Sequence, residues 1–353
     1  MCRYGKSSRK KSLQIQEKQI GMSIRYFLIV VFICTLSQAQ ISDFKAVNFK
    51  QADYNAKMNK GASLDNLPLL AHKLTSNLPT DVEKFRAIYT WVCQNITADI
   101  NQQNKIFRKR KKHKNDSLGY ITWNNAYLKT TFKRLLEDKK TMCTGYAYLV
   151  KELSFLANIE CEIVNGYGRS VASNIEALDM ANHSWNAVKL NNKWYLSDAT
   201  WSSGYIINST FIEDYNDGYF LTDPILFSKS HYPIEKKWLL NDATSTRTFV
   251  ASPLIYGETY EHKIIPMSPK EMNVEIGKNH EIHFSFKSLK TISKDSISLI
   301  KYVGITEQPL EIYNIHHDDG IISFTYKFKH KGHYDIHLKI NKDVVATYVI
   351  KVS

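Results

Sequence analysis

Residues 182–201 read NHSWNAVKLNNKWYLSDATW, and this stretch decides the fold. Apolar and aromatic residues run on both sides of Asn191-Asn192. Asn tolerates positive φ, so the pair predicts a two-residue turn joining the strands Ser184 to Leu190 and Lys193 to Asp198. That register sets Leu190 opposite Lys193 and Asp198 opposite Trp185. His183, two residues before Trp185, then shares a sheet face with Asp198, about 7–8 Å away at the backbone. An imidazole and a carboxylate so placed can hydrogen-bond. The carboxylate would set the tautomer and orientation of the ring and leave its other nitrogen for a third group.

Cys143 is the candidate for that third group. It precedes an amphipathic series, Tyr146, Leu149, Val150, Leu153, Leu156 and Ala157, at helical spacing. A helix N-terminus carries partial positive charge and free N–H groups that favour a thiolate. Alone, a Cys at a helix start reads as an ordinary core residue; joined to His183 and Asp198, it reads as a nucleophile.

Two further helices are expected upstream. The first holds Leu64, Leu67, Leu70, Ala71, Leu74 and Leu78. The second opens at Thr80 with a Thr80/Glu83 capping box and carries the stripe Val82, Phe85, Ile88, Tyr89, Val92, Cys93, Ile96. Cys93 lies on that stripe and is expected in the core. A short helix is expected over Thr131 to Asp138. Residues 40–61 are polar and read as a loose lead-in. Lys105 to Lys114 holds seven Lys/Arg and no acid and reads as a solvated, mobile loop, with contact to an acidic polymer or a membrane surface as the sharper alternative.

Composition sets outer limits. The chain has 353 residues, 43% of them hydrophobic, enough for two domains with real cores. The formal net charge is +13, but seven basic residues against one acid fall within 1–39, and seven more fall in the 105–114 run. The remainder is near neutral, so the charge does not describe a nucleic-acid face and no specific nucleic-acid partner is expected. Residues 1–39 resemble an export signal: a basic stretch to Arg25, the apolar run Tyr26 to Leu36, then Ser37-Gln38-Ala39 as a cleavage site. Met22 is an alternative start, and an uncleaved anchor is the alternative to cleavage. A secreted or periplasmic protein is expected. Cleavage would leave Cys93, Cys143 and Cys161, an odd number that keeps at least one thiol unpaired. A Cys93–Cys161 disulfide is the one pairing weighed between the structural cysteines.

Beyond residue 250 the pattern changes to alternating strands, among them Glu281 to Lys287, Ile321 to Phe328, Tyr334 to Ile340 and Val344 to Val352, parted by Gly, Asn and Asp. That predicts a separate β-sandwich over 250–353, with no chemistry of its own.

The chain resembles the transglutaminase-like superfamily, which has papain-like Cys-His-Asp chemistry, and most of all its kyphoscoliosis peptidase branch. Four stretches carry the resemblance: Phe85 to Val92, Cys143-Thr144-Gly145-Tyr146-Ala147, Asn182 to Val188, and Trp194 to Trp201. The later Tyr219-Phe220-Leu221, His231-Tyr232-Pro233 and Trp238-Leu239-Leu240 also fit. The chain departs from the pattern at Thr141, where a Gly is common, and at Thr144, where an acid is common. The resemblance implies an α+β fold over 62–245, with the Cys-bearing helix packed on a small antiparallel sheet. It also implies Cys143 as nucleophile, His183 as base and Asp198 as orienting acid. No cofactor and no metal are implied; zinc on Cys143, His183 and Asp198 lacks any ligand spacing to support it. The expected function is hydrolysis of peptide or amide bonds in a protein or peptide through a Cys thioester. The alternatives are a cross-linking transglutaminase and an inactive binding module.

Overall fold

The structure, a computed structural model, describes residues 41–173, 177–178 and 181–353. The export signal expected over 1–39 lies outside the described residues. Among the described residues no helix is long and apolar enough to cross a membrane.

The N-terminal half is helical: α1 (Lys50–Met58), α2 (Leu67–Thr75), α3 (Asp81–Asn95), α4 (Ile100–Lys112), α5 (Ser117–Asp138) and α6 (Cys143–Leu156). The capping box forms as expected, with Thr80 Oγ1 accepting from Glu83 N–H and Glu83 accepting from Thr80 N–H. A four-stranded antiparallel sheet follows, ordered β3-β2-β1-β4, from β1 (Cys161–Gly168), β2 (His183–Leu190), β3 (Lys193–Ser197) and β4 (His231–Pro233). Asn191 and Asn192 have φ of 49° and 62°, and Leu190 pairs with Lys193 as the turn requires. The ladder ends at Asn186–Ser197. Asp198 leaves it to cap the short helix α7 (Ala199–Ser203).

The sheet lies between two cores. Val188 and Leu190 of β2 pack with α2, α3 and α6 through Leu74, Phe85, Leu149 and Leu153. Trp185 and Ala187, on the other face, join the C-terminal half. Burial on both faces explains why β2 does not alternate apolar with polar.

The C-terminal strands are β5 (Ile264–Ser268), β6 (Asn273–Ile276), β7 (Glu281–Ser288), β8 (Ile297–Val303), β9 (Thr306–Leu310), β10 (Tyr313–Asp318), β11 (Ile321–Lys327), β12 (Gly332–Ile340) and β13 (Asp343–Val352). They form two sheets, ordered β5-β7-β11-β10 and β6-β13-β12-β8-β9, antiparallel except for the β6–β13 pair. Phe284 and Phe324 from the first sheet share one core with Leu299, Ile336 and Tyr348 from the second. Phe284 meets Tyr348 edge-on at 5.3 Å, as in a β-sandwich. His283 and His337 hydrogen-bond the cross-strand Thr325 and Thr347 at 3.0 and 2.7 Å.

Three local expectations are corrected. Residues 50–58 are not loose. They form α1, which buries Ala52, Asn55 and Ala56, while Asp53 holds Arg86 at 2.7 Å. Its buried face is made of small residues, which an apolar-stripe reading passes over. The run 105–114 is not a mobile loop: it lies on α4 and the turn after it. Asp99 caps α4, accepting from Gln102 N–H at 2.9 Å, and Lys and Arg are good helix formers. The short helix expected from Thr131 starts at Ser117 instead, capped by Asp116.

Candidate active site

α6 begins at Cys143, and the chain reaches it through a short parallel pairing of Thr97–Ala98 with Lys140–Thr141. Thr141 is buried, and its Oγ1 lies 2.0 Å from where a Cβ on Gly145 would stand. The hydroxyl thus occupies space that Gly145 leaves open. Thr144 Oγ1 lies 3.4 Å from Ser184 Oγ, which places the first turn of α6 against β2. Cys143 is the first residue of the helix, so its N–H has no intrahelical acceptor.

β2 opens with His183, and His183 Nε2 lies 2.7 Å from Asp198 Oδ2; both residues are buried. With Nε2 committed, Nδ1 is the nitrogen left for the thiol. His183 acts on Cys143 both as a hydrogen-bond partner and as a charge. Asp198 is fully enclosed. Its Oδ1 accepts from the N–H groups of Thr200 and Trp201 at 2.9 and 3.3 Å. Trp201 stacks on the His183 ring with centroids 4.7 Å apart.

A fourth residue completes the cluster, and the sequence reading gave it no role. His231 Nε2 lies 3.1 Å from the same Asp198 Oδ2. Its Nδ1 lies 3.0 Å from Ser230 Oγ, and Phe227 stacks on its ring at 3.9 Å. In the sheet, His183 pairs with Gly166 and His231 with Gly168, on opposite sides of β1. A Cβ at Gly168 would lie 3.1 Å from His183 Cβ and 3.0 Å from the Trp201 ring. The missing side chain lets the rings close over the strand. The available signal was the β1–β4 register, which no short turn announces.

The electrostatics follow from these contacts. Burial pushes the Cys143 thiol up, but the hydrogen bond and charge of His183, the Arg110 guanidinium and the Ser184 backbone N–H outweigh it, and the net shift is downward. Burial opposes charge on His183 too, yet Asp198 and Cys143 raise it to about 10. Against its own burial, Asp198 is held well below the carboxylate range by His183 and His231. His231, enclosed and facing a second imidazole, is driven down to about 4 by burial. At neutral pH the site therefore holds a His183 imidazolium, an Asp198 carboxylate and a neutral His231, beside a Cys143 thiol shifted toward its thiolate. Cys93 and Cys161 are free, buried thiols and not a disulfide. Burial raises both, Cys161 to about 12. Only Cys143 of the three has a thiolate-favouring environment.

His183, Asp198 and His231 each offer a ligand atom within 4.8 Å of the others, so among the described residues this trio is the group that could hold a metal. Both Nε2 atoms already point at one carboxylate oxygen. A metal would have to displace both hydrogen bonds.

Known proteins resemble this chain in sequence. A family model described as the transglutaminase-like superfamily matches residues 68–199. The kyphoscoliosis peptidase of Homo sapiens is 32% identical over 234 residues, covering 63% of this chain and 31% of that one. The Mus musculus kyphoscoliosis peptidase is 31% identical over 212 residues, covering 57% and 28%. Hillarin of Drosophila melanogaster is 26% identical over 203 residues, covering 53% and 22%. The chain spans about a third or less of the length of these curated relatives. The helical layer and the antiparallel sheet agree with these matches: residues 68–199 carry a transglutaminase-like domain, and the relatives it resembles include the kyphoscoliosis peptidases.

Proposed function

We propose that the protein hydrolyses peptide or amide bonds in a protein or peptide substrate through a thioester on Cys143. The observation that carries this reading is the 2.7 Å contact between His183 Nε2 and Asp198 Oδ2, which leaves Nδ1 of a charged imidazole available to the thiol. The Cys143 thiolate adds to the carbonyl carbon, and the oxygen takes the negative charge beside the free Cys143 N–H. As the tetrahedral adduct collapses, the C–N bond breaks and His183 gives its proton to the departing amine. Neutral His183 then takes a proton from water as the water attacks the thioester. The C–S bond breaks, the acid leaves, and thiolate and imidazolium are restored. An amine in place of water would give a cross-link by the same steps.

Replacing Cys143 by Ala is expected to abolish labelling by iodoacetamide or a vinyl sulfone near neutral pH and to lower peptide hydrolysis about 10⁴-fold or more. Undiminished labelling would locate the reactive thiol elsewhere.

A further inference from the structure

Arg110, in the last turn of α4, is half-buried. Its Nε donates to Tyr120 Oη at 3.1 Å, and its Nη1 donates at 3.4 Å to the carbonyl of Asn182, the residue before His183. Its charge is felt at the Cys143 thiol. Both acceptors are neutral, and Nη2 has no acceptor among the described residues. The other arginines of the helical layer that sit against acids are paired: Arg86 with Asp53 and Asp217, and Arg134 with Asp99. Arg110 has no carboxylate partner among the described residues. The cations near it on α4 face rings: Lys105 sits 4.1 Å over Tyr127, and Lys109 sits 5.5 Å over Trp123. A partly desolvated guanidinium without a carboxylate is costly, and its planar fork suits a carboxylate. Here a fork without a carboxylate is tied to the carbonyl preceding His183, and its charge reaches the thiol.

We propose that Arg110 is a specificity-determining residue that receives a substrate carboxylate close to the carbonyl attacked by Cys143, so that the preferred substrates are acidic peptides with Asp or Glu flanking the scissile bond. This rests on the thioester reading. A purely local role, in which Arg110 only stabilises the thiolate, would speed reaction with charged and neutral electrophiles alike. Carboxylate reception favours the charged electrophile.

The test compares alkylation of Cys143 in the full chain by iodoacetate and by iodoacetamide, which differ by a carboxylate next to the attacked carbon. In the wild type the iodoacetate-to-iodoacetamide rate ratio is expected to exceed that of glutathione, and to fall as salt is raised. Arg110→Gln is expected to lower the ratio about tenfold, the worth of one charge-assisted hydrogen bond. Arg110→Lys should retain part of it, and Arg110→Glu should lower it further. A ratio unchanged in Arg110→Gln, or a wild-type ratio no greater than that of glutathione, overturns the inference and leaves the thioester reading standing. Should neither reagent alkylate Cys143, both fall together. The wild-type ratio needs no variant to fold.

Discussion

At the scale of single residues, Asp198 does most of the organising. One oxygen faces two imidazoles and the other caps α7, so the carboxylate is held from four sides. Orientation of His183 and charge on Cys143 both depend on it. The alkylation rate of Cys143 should therefore persist to a pH below the ~8.5 of an ordinary thiol. Steps that need a proton on His183 should fade as pH rises through about 10. In His183→Gln the acid limb of the iodoacetamide rate profile should move up to the ordinary thiol range or beyond, since burial persists while the partner is gone. An unmoved limb in that variant would refute the ion pair. His183 and Asp198 were legible as neighbours because a two-residue Asn turn fixes register across short range, and Cys143 from its place at the start of an amphipathic helix. His231 was not: it is 33 residues from Asp198, and only the antiparallel docking of β4 on β1 brings it there.

At the scale of elements, the α4–α5 hairpin shows why periodicity failed. Its seam is not an apolar stripe. Lys105, Lys109 and Arg110 lie over Tyr127, Trp123 and Tyr120, pairing cations on one helix with ring faces on the other. A search for spaced Leu and Val sees only a charge run, whereas the four sandwich strands named from alternation, 281–287, 321–328, 334–340 and 344–352, match the structure to within a few residues. Asp99 joins the two helices, capping α4 through Oδ1 and meeting Arg134 Nη1 at 2.7 Å through Oδ2. Asp99→Ala is expected to cost about 1–2 kcal/mol. It should speed amide hydrogen exchange across residues 100–138 about tenfold or more, with α6 little changed. Exchange altered equally in both regions would show that the hairpin does not open as a unit.

At the scale of the whole molecule, the buried imidazoles tie stability to pH with opposite signs. His231 is depressed to about 4 from an unfolded value near 6.5. Its contribution is full above ~6.5 and is lost as pH falls toward 4, to a limit of about 3 kcal/mol. His183 is raised to about 10, so its contribution is full below ~6.5 and is lost as pH rises through 10. Melting temperature should therefore fall on both sides of a maximum near neutrality, and His231→Gln should flatten the acid side relative to wild type. An equal acid slope in the variant would assign the loss to other groups. The shared carboxylate has one more consequence. Asp198 fastens β2, α7 and the segment bearing β4 at a single point, while Cys143 meets β2 alone, at His183 and the Ser184 N–H. A descendant of this gene that abandoned chemistry could shed its thiol freely but would unravel on losing its acid. Across such descendants, the presence of the aspartate would testify only to a sound scaffold, and the sulfur alone would distinguish a chain equipped for the proposed thioester chemistry from one that is not.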